Sequence, residues 1–161
     1  MYLTELLARC SDIEGRVGRV YRTLSESFVD GGETARLWRE LAFEEEIHAE
    51  ILRRELENFE QLDEEGAYLP EYAPRLEHVQ QVLDDIEERT QNLRTLDEAL
   101  VVSMALEQAE LEDLYDDLFV QGHPAFKLIC ERLESVSSAP TAAVRSETRR
   151  RARRQGSRGR T

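Results

Sequence analysis

The sequence predicts an all-α protein, a four-helix bundle in which a long crossover containing an extra helix joins the second and third bundle helices. Apolar residues recur every three, four and seven positions over long stretches, which is the spacing of helices that bury one face. Aromatic residues make up 7% of the chain, with 8 glycines and 4 prolines, a mixture that suits helices better than a turn-rich β architecture. The chain of 161 residues is long enough for one domain with a real core.

The first two helices are predicted over residues 3–29 and 34–59, separated by the turn sequence "DGGET". The first helix carries two rows of residues spaced by seven, which are Leu3, Cys10, Val17, Leu24 and Leu7, Glu14, Tyr21, Phe28. The rows of the second helix are Trp38, Glu45, Leu52, Phe59 and Leu41, His48, Glu55. Because the turn is short, we expect the two helices to be antiparallel neighbours.

The segment "LDEEGAYLPEYAPR" then interrupts the helical pattern, and residues 75–92 form a separate amphipathic helix of the crossover. The third bundle helix begins at "RTLDEAL", where Thr95 as N-cap and Glu98 three residues later match a capping box. Its rows are Leu100, Glu107, Leu114 and Ser103, Glu110, Asp117. The fourth helix is short, "AFKLICERLESV", and Pro124 before it suits a first helical position. The bundle is therefore predicted to occupy residues 1–138.

Charge is distributed unevenly along the chain. Eight arginines and one acidic residue, Glu147, lie in residues 141–161, which leaves 13 basic and 33 acidic residues in residues 1–140, a net charge of −20. Such an acidic body repels nucleic acid and attracts cations. Residues 139–161 cannot bury enough apolar surface to order themselves and are predicted to be a disordered, arginine-rich tail. The tail suits weak electrostatic contact with an acidic partner or with nucleic acid, or it is simply a solvated tail.

The two cysteines, Cys10 and Cys130, form no CxxC pair, so the sequence predicts neither a rubredoxin-like module nor a zinc ribbon. Both fall in apolar helical patterns and are expected to be reduced thiols in the core. The N-terminal stretch has Glu5 within its apolar residues and does not read as a signal peptide. No run of residues is long and apolar enough to span a membrane. We expect a soluble, cytoplasmic protein without membrane contact.

Four polar residues occupy positions where the helical pattern calls for core residues. Glu14 lies between Leu7 and Tyr21 in its row, and Glu107 lies between Leu100 and Leu114. Glu45 and His48 stand in the rows of the second helix and, being three residues apart, share one helical face. Buried carboxylates are costly unless they are paired, protonated or bound to metal. Carboxylates with an imidazole suit iron, manganese or zinc, so the pattern predicts a metal site.

Each of these residues also has a structural interpretation. A small rotation of the first helix would put Glu14 at the surface. Glu45 stands between Glu44 and Glu46, and runs of acidic residues commonly coat a solvated face. His48 taken alone suits a hydrogen-bonded core histidine, and Glu107 and Glu110 fall in an acid-rich stretch that suits exposure to water. The coincidence of inward polar groups on three helices favours the metal site. His78 and His123 are expected at the surface.

The chain resembles the ferritin-like di-iron carboxylate superfamily, and its rubrerythrin-like branch most closely. The matching stretches are "SDIEGRVGRVYRTLSESF", "LAFEEEIHAEIL" and "ALEQAELEDLY", and the resemblance covers residues 1 to about 137. It implies iron ligands at Glu14, Glu45, His48 and Glu107, with Glu110 as an alternate third-helix ligand. It also implies that Tyr21 and Tyr115 can form hydrogen bonds behind the ligands, although both equally suit packing.

The fourth helix departs from the family pattern, which places Glu-x-x-His there. This chain has Glu131-Arg132-Leu133-Glu134, so that Glu131 takes the carboxylate place and Glu134 the histidine place. An all-carboxylate end is chemically reasonable because carboxylates accept hard metal ions. Both residues equally suit the surface of a short helix. The sequence therefore leaves open an asymmetric, mononuclear, dimer-completed or degenerate site.

The resemblance implies a di-iron protein in which Glu45 and Glu107 bridge two irons that react with dioxygen or hydrogen peroxide. The activity would be ferrous oxidation or peroxide reduction, in iron handling or oxidative stress, and manganese or zinc are alternative metals. A homo-dimer or higher homo-oligomer is expected, and a peroxidase would need an external electron donor protein. The alternatives are a metal-free helical-bundle adaptor that binds partners through its basic tail, and a bundle whose metal is structural or regulatory.

Overall fold

The computed structural model describes residues 1–61, 67–107 and 124–136, with the backbone alone for residues 124–126 and 134. Its helices are α1 (Leu3–Ser27), α2 (Glu33–Gln61), α3 (Tyr72–Thr90), α4 (Leu96–Glu107) and α5 (Pro124–Val136), with a 3-10 turn at Val29–Gly31. Over these ranges the extended structure is limited to one isolated bridge between Tyr2 and Tyr68. The prediction of an all-α protein is confirmed, and the predicted bounds of the first two helices and of the crossover helix agree within a few residues. The predicted end of the third bundle helix lies outside the described residues.

The α1–α2 hairpin forms the most extensive helix–helix contact among the described residues. The predicted turn is present, and Gly32 within it has a φ of +59°, a conformation that glycine adopts without steric cost. The predicted rows pack inward: Leu3, Leu7, Cys10 and Leu24 of α1 are buried, as are Trp38, Leu41 and Leu52 of α2. None of the described helices is both long and apolar enough to cross a membrane.

The crossover returns to the N-terminus before α3 begins. The amide of Leu3 donates to the carbonyl of Ala67 at 3.0 Å, and the amide of Leu69 donates to the carbonyl of Met1 at 2.8 Å. The rings of Tyr2 and Tyr68 meet edge to face with centroids 5.2 Å apart. These contacts tie the extended part of the crossover to the start of α1. Helix α3 then packs on α1 through a buried row of Leu76, Val79, Leu83 and Ile86.

Arg16 fastens α3 to α1 with a paired set of hydrogen bonds. Its Nε and Nη2 atoms donate to the two carboxylate oxygens of Glu87 at 3.0 and 2.7 Å, and Nη2 also donates to Asp84. The Arg16 side chain is only 15% exposed. The hydrogen bonds to Glu87 raise the pKa of the Arg16 guanidinium further above its usual value, so the group stays charged at every pH at which the protein is folded.

Replacing Arg16 by methionine is expected to lower the free energy of unfolding by about 1–3 kcal/mol, because two carboxylates lose their charged donor. Urea unfolding followed by circular dichroism measures the change. The matched control is Arg9→Met in the same helix, since Arg9 pairs only with the exposed Glu5 at 2.9 Å. That exposed pair is expected to contribute less than about 1 kcal/mol. Equal losses in the two variants would contradict the role given to Arg16.

Helix α4 begins with the predicted capping box. The Glu98 amide donates to the Thr95 hydroxyl at 3.2 Å, and the Glu98 carboxylate accepts from the amides of Arg94 and Thr95 at 2.8 and 3.1 Å. The hydrogen bond from the Arg94 amide lowers the pKa of the Glu98 carboxyl most, and the hydrogen bond from the Thr95 amide lowers it further. Because the folded pKa lies below the unfolded one, the stabilisation is present near neutral pH and is lost as the pH falls through the folded pKa.

The buried face of α4 differs from the predicted one. Its buried residues are Ala99, Val102 and Leu106, whereas Leu100 is 38% exposed. The segment is apolar on nearly every side, so its sequence pattern does not single out one face. The row that contains Leu100 and Glu107 therefore faces the core only in part, and Glu107 itself is half-buried.

Helix α5 begins at Pro124, as predicted, and packs on α2. Its buried residues are Ile129, Cys130 and Leu133, and Arg132 forms an ion pair with Glu55 of α2. Cys10 and Cys130 are both buried and form no disulfide within the described residues, as predicted. The predicted end of the bundle at residue 138 and the arginine-rich segment 139–161 lie outside the described residues.

Candidate metal centre

Helices α1 and α2 bring three of the predicted ligands together in the interior. Glu14 and Glu45 are each 4% exposed, and His48 is 6% exposed. One ligand atom from each of the three residues lies within 4.8 Å of the others. The interpretations of Glu14 as a surface residue and of Glu45 as part of a solvated face are therefore excluded.

The helical pattern explains this convergence. Glu14 stands one heptad after the buried Leu7 and one heptad before the buried Tyr21, so it points the same way as its neighbours in the row. Glu45 and His48 are three residues apart on α2, which puts both on the face that meets α1. The Nδ1 atom of His48 lies 3.3 Å from the Oε2 atom of Glu45. The side chains of Glu45 and His48, both on α2, can thus coordinate the same metal ion.

Further contacts fix how α1 and α2 are aligned beside the cluster. Ser11, one turn before Glu14, donates its hydroxyl to the carbonyl of Ala49 at 2.9 Å. On the other side of the cluster, Arg22 of α1 forms an ion pair with Glu46 of α2. The Ser11 contact holds the antiparallel helices in the register that sets Glu14 opposite Glu45 and His48, whereas the exposed Arg22–Glu46 pair contributes little to it.

The donor set fits a metal ion. Two carboxylates and one imidazole make a mixed oxygen and nitrogen set of the kind that holds iron, manganese or zinc. Two carboxylates this close in a dry interior repel each other and lose their hydration, a cost that a bound cation removes. Within the described parts of the chain, this cluster is the one group of three acidic, histidine or cysteine side chains with metal-binding spacing.

Glu107 of α4 is linked to α1 through Tyr21. The hydroxyl of Tyr21 donates a hydrogen bond to the Oε1 atom of Glu107. Tyr21 is buried and follows Glu14 by two helical turns. A hydrogen bond of this kind orients a carboxylate. Glu107 is not one of the three residues that the structure brings together within 4.8 Å.

The remaining predicted residues divide into two groups. The side chain of Glu131 is exposed on α5, away from the buried cluster, and His78 is exposed on α3 as expected. Glu110, Tyr115 and His123 lie outside the described residues, as does the side chain of Glu134. Coordination by Glu110, Glu131 and Glu134 therefore stays a prediction.

One buried acidic residue was missed by the sequence reasoning. Glu44 is 5% exposed, although it stands in the run of three glutamates that suggested a solvated face. Its spacing from Leu41 and His48, three residues after one and four before the other, is the signal that would have found it. Two adjacent glutamates are thus buried on α2, with Glu45 on the side that meets Glu14.

Comparison with protein-family models gives an independent result. The rubrerythrin family model matches residues 5–127, which is well over half of the chain. Comparison with curated proteins and with solved structures gave no match. The matched range includes Glu14, Glu45 and His48, the three residues that the fold brings together. By this match, and in keeping with its helical fold and its buried carboxylate–histidine cluster, the chain belongs to the rubrerythrin family.

Proposed function

We propose that the protein binds iron between α1 and α2 and uses it to react with dioxygen or hydrogen peroxide. The observation that carries the proposal is the buried cluster of Glu14, Glu45 and His48, whose ligand atoms lie within 4.8 Å of one another. Membership of the rubrerythrin family, whose members are ferritin-like di-iron proteins, supports iron as the metal.

The protein residues have distinct roles in this proposal. Glu14 and Glu45 supply negative charge that favours a divalent cation in an interior closed to bulk water. His48 supplies a neutral nitrogen ligand, which leaves the charge of the site to the carboxylates. Iron at this site would supply the electrons that dioxygen or peroxide accepts. The surrounding packing of α1 and α2 keeps the ligands in place before the metal arrives.

A second iron would need ligands beyond these three. Glu107 is the first candidate, because it lies on α4 within hydrogen-bonding reach of α1, where the Tyr21 hydroxyl donates to its Oε1 atom. Glu110 and Glu134 are the next candidates. Both are positions to which the resemblance to the family assigns further ligands. Glu131 is the weakest candidate, since its side chain is exposed.

The cellular setting of the activity is part of the same proposal. Cys10 and Cys130 lie far apart in the sequence, on α1 and α5, and are both buried, so they do not form a CxxC electron-transfer motif. Electrons for peroxide reduction would therefore come from a separate donor protein. We propose a cytoplasmic role in iron handling or in defence against oxidative stress, with the chain acting as a homo-oligomer.

Anaerobic titration with Fe²⁺ tests the proposal directly. We expect the metal-free protein to bind about two Fe²⁺ per chain if the ligands of both family positions take part, or about one if the three-residue cluster acts alone. Exposure to oxygen or to hydrogen peroxide should then raise the near-UV absorbance of ferric iron. Comparing the two oxidants at equal concentration separates ferrous oxidation by oxygen from peroxide reduction.

The control is a variant that lacks a cluster carboxylate, Glu14→Gln, titrated under the same conditions. Its Fe²⁺ isotherm should be close to that of buffer, because the cluster loses one of its two charged ligands. A wild-type isotherm no steeper than that of Glu14→Gln would refute the proposal. Binding of Fe²⁺ without any change on oxidation would instead indicate a structural or regulatory metal.

A further inference from the structure

Gly18 lies in the middle of α1, buried against α2, at a position where glycine is a poor choice. The helix interior disfavours glycine relative to alanine because glycine loses more backbone freedom on folding. Backbone conformation does not call for glycine here, since positive φ among the described glycines is confined to Gly32. A different reason for glycine at this position is therefore needed.

The neighbouring atoms on α2 supply that reason. A Cβ atom built on Gly18 would lie 3.3 Å from the carbonyl oxygen of Ala42 and 3.3 Å from the Cβ of Glu45. It would also lie 3.6 Å from the Cγ of Glu46. The favourable separation between carbon atoms is about 3.5–4.0 Å, so the contact with the Cβ of Glu45 is too close. The approach to the Ala42 oxygen is also tighter than most contacts of a Cβ atom. At Gly18 the backbones of α1 and α2 thus lie close together beside the cluster.

These contacts cannot be relieved by a change of rotamer. The carbonyl oxygen of Ala42 belongs to the backbone, and the Cβ of Glu45 is fixed to it. The two helices would have to move apart by a few tenths of an ångström, or slide, to admit a methyl group. Such a movement displaces Glu45 relative to Glu14, which stands one turn before Gly18 on α1.

We infer that Gly18 is a positioning residue for the metal centre, because its lack of a side chain sets the distance between Glu14 and Glu45. The inference rests on the proposed metal site. Ligand-to-metal distances must hold within about 0.2 Å, so a shift of a few tenths of an ångström between the carboxylates weakens coordination. Gly18 touches no metal and acts only through the spacing of the helices.

Gly15 provides a matched control in the same helix. A Cβ atom at Gly15 would meet the Nη1 atom of Arg19 at 3.5 Å, which is an ordinary contact with the end of a flexible side chain. Gly15→Ala therefore adds the same methyl group next to Glu14 without pushing α2. Both substitutions improve helix propensity equally, so any difference between them reports on the α1–α2 contact.

The test is titration of the wild type, Gly15→Ala and Gly18→Ala with Co²⁺, well below the melting transition. The visible absorption of bound Co²⁺ reports ligand geometry, and far-UV circular dichroism reports helix content. We expect Gly15→Ala to match the wild type in affinity and spectrum. Gly18→Ala should keep its helix content, bind Co²⁺ at least about tenfold more weakly and show a shifted spectrum, as for other losses of ligand support.

The remaining outcomes each decide a separate question. Equal affinity and spectrum in Gly18→Ala and Gly15→Ala would overturn the inference and leave the metal site standing. Weaker binding with an unchanged spectrum, or loss of helix content in Gly18→Ala, would overturn it too, since Gly18 would then serve folding rather than ligand placement. Failure of the wild type to bind Co²⁺ or Fe²⁺ would remove the metal site, and the inference with it.

Discussion

Replacing Glu45 by glutamine is expected to abolish metal binding at the α1–α2 cluster. The substitution keeps the size of a side chain that is 4% exposed but removes one of two charged ligands. Groups that only support a metal ligand already contribute about 10–100-fold to affinity, so loss of the ligand itself should lower affinity by more than about 100-fold. Isothermal titration with Fe²⁺ in the absence of oxygen measures the change.

The stability of the same variant separates a lost ligand from a damaged fold. Metal at 100 times its dissociation constant should stabilise the wild type by about 2.7 kcal/mol, and this increment should vanish in Glu45→Gln. The metal-free variant should be as stable as the metal-free wild type or more so, because one of two neighbouring buried carboxylates has lost its charge. A large loss of stability in the metal-free variant would contradict this account.

Glu46→Gln is the matched control, because Glu46 is the next residue, is exposed and pairs with Arg22 on the surface. The Glu46→Gln substitution removes one negative charge from the same turn of α2. It should change Fe²⁺ affinity only slightly, since exposed charges are screened by salt. If Glu45→Gln and Glu46→Gln lower the affinity equally, general electrostatic attraction holds the metal and the cluster does not.

The helices and the buried cluster of Glu14, Glu45 and His48 could be predicted from the sequence, because the same seven-residue spacing of buried positions indicates both. A row spaced by seven that runs Leu7, Glu14, Tyr21 fixes the direction of its middle member once its ends are buried. The same holds for Glu45 between Trp38 and Leu52. A polar residue within such a row lies on the same face of the helix as its buried neighbours, so it is buried when they are.

The seven-residue spacing gives no prediction where a helix is apolar on most sides, and it did not decide the position of Glu131. Helix α4 is apolar on most sides, so nothing in its sequence distinguished the buried Val102 from the exposed Leu100. Glu131 was placed by family resemblance, whereas Ile129, Cys130 and Leu133 already define the buried side of α5. Glu131 is two positions from both Ile129 and Leu133, which turns it by about 200° from each of them, towards the opposite side of the helix. Periodicity alone would have given Glu131 its exposed position.

Gly18 marks a different limit of sequence reasoning. Periodicity reports which residues face the core, but it carries no information on how closely two backbones approach. A glycine within a helix can be there because the helix tolerates its low propensity, or because a neighbouring backbone leaves no room for a side chain. The positions of the atoms across the interface distinguish the two explanations. The 3.3 Å separations to Ala42 and Glu45 are properties of the packed pair of helices.

Replacing Trp38 by alanine is expected to cause the largest loss of stability of any single substitution considered for this protein. Trp38 is 1% exposed, its ring meets that of Phe28 edge to face at 6.3 Å, and its indole N–H donates to the Ser103 hydroxyl at 3.1 Å. It joins α2 to α4 and to Phe28, the residue that follows α1. Truncation of a buried tryptophan typically costs about 3–5 kcal/mol, and we expect a loss in that range from urea unfolding.

Two further variants divide that loss into its causes. Trp38→Phe keeps a ring against Phe28 but leaves the Ser103 hydroxyl without its donor, so it should lose roughly 1–2 kcal/mol from the hydrogen bond and the smaller volume. Phe43→Ala removes an aromatic ring that is 64% exposed on the same helix, and it should change stability by less than about 0.5 kcal/mol.

Since α2 also carries Glu45 and His48, the loss of stability in Trp38→Ala should appear as weaker metal binding only at temperatures where the variant begins to unfold. Weaker binding by fully folded Trp38→Ala would mean that contacts at this end of the hairpin also set the geometry of the cluster, contrary to the independence expected of separated sites.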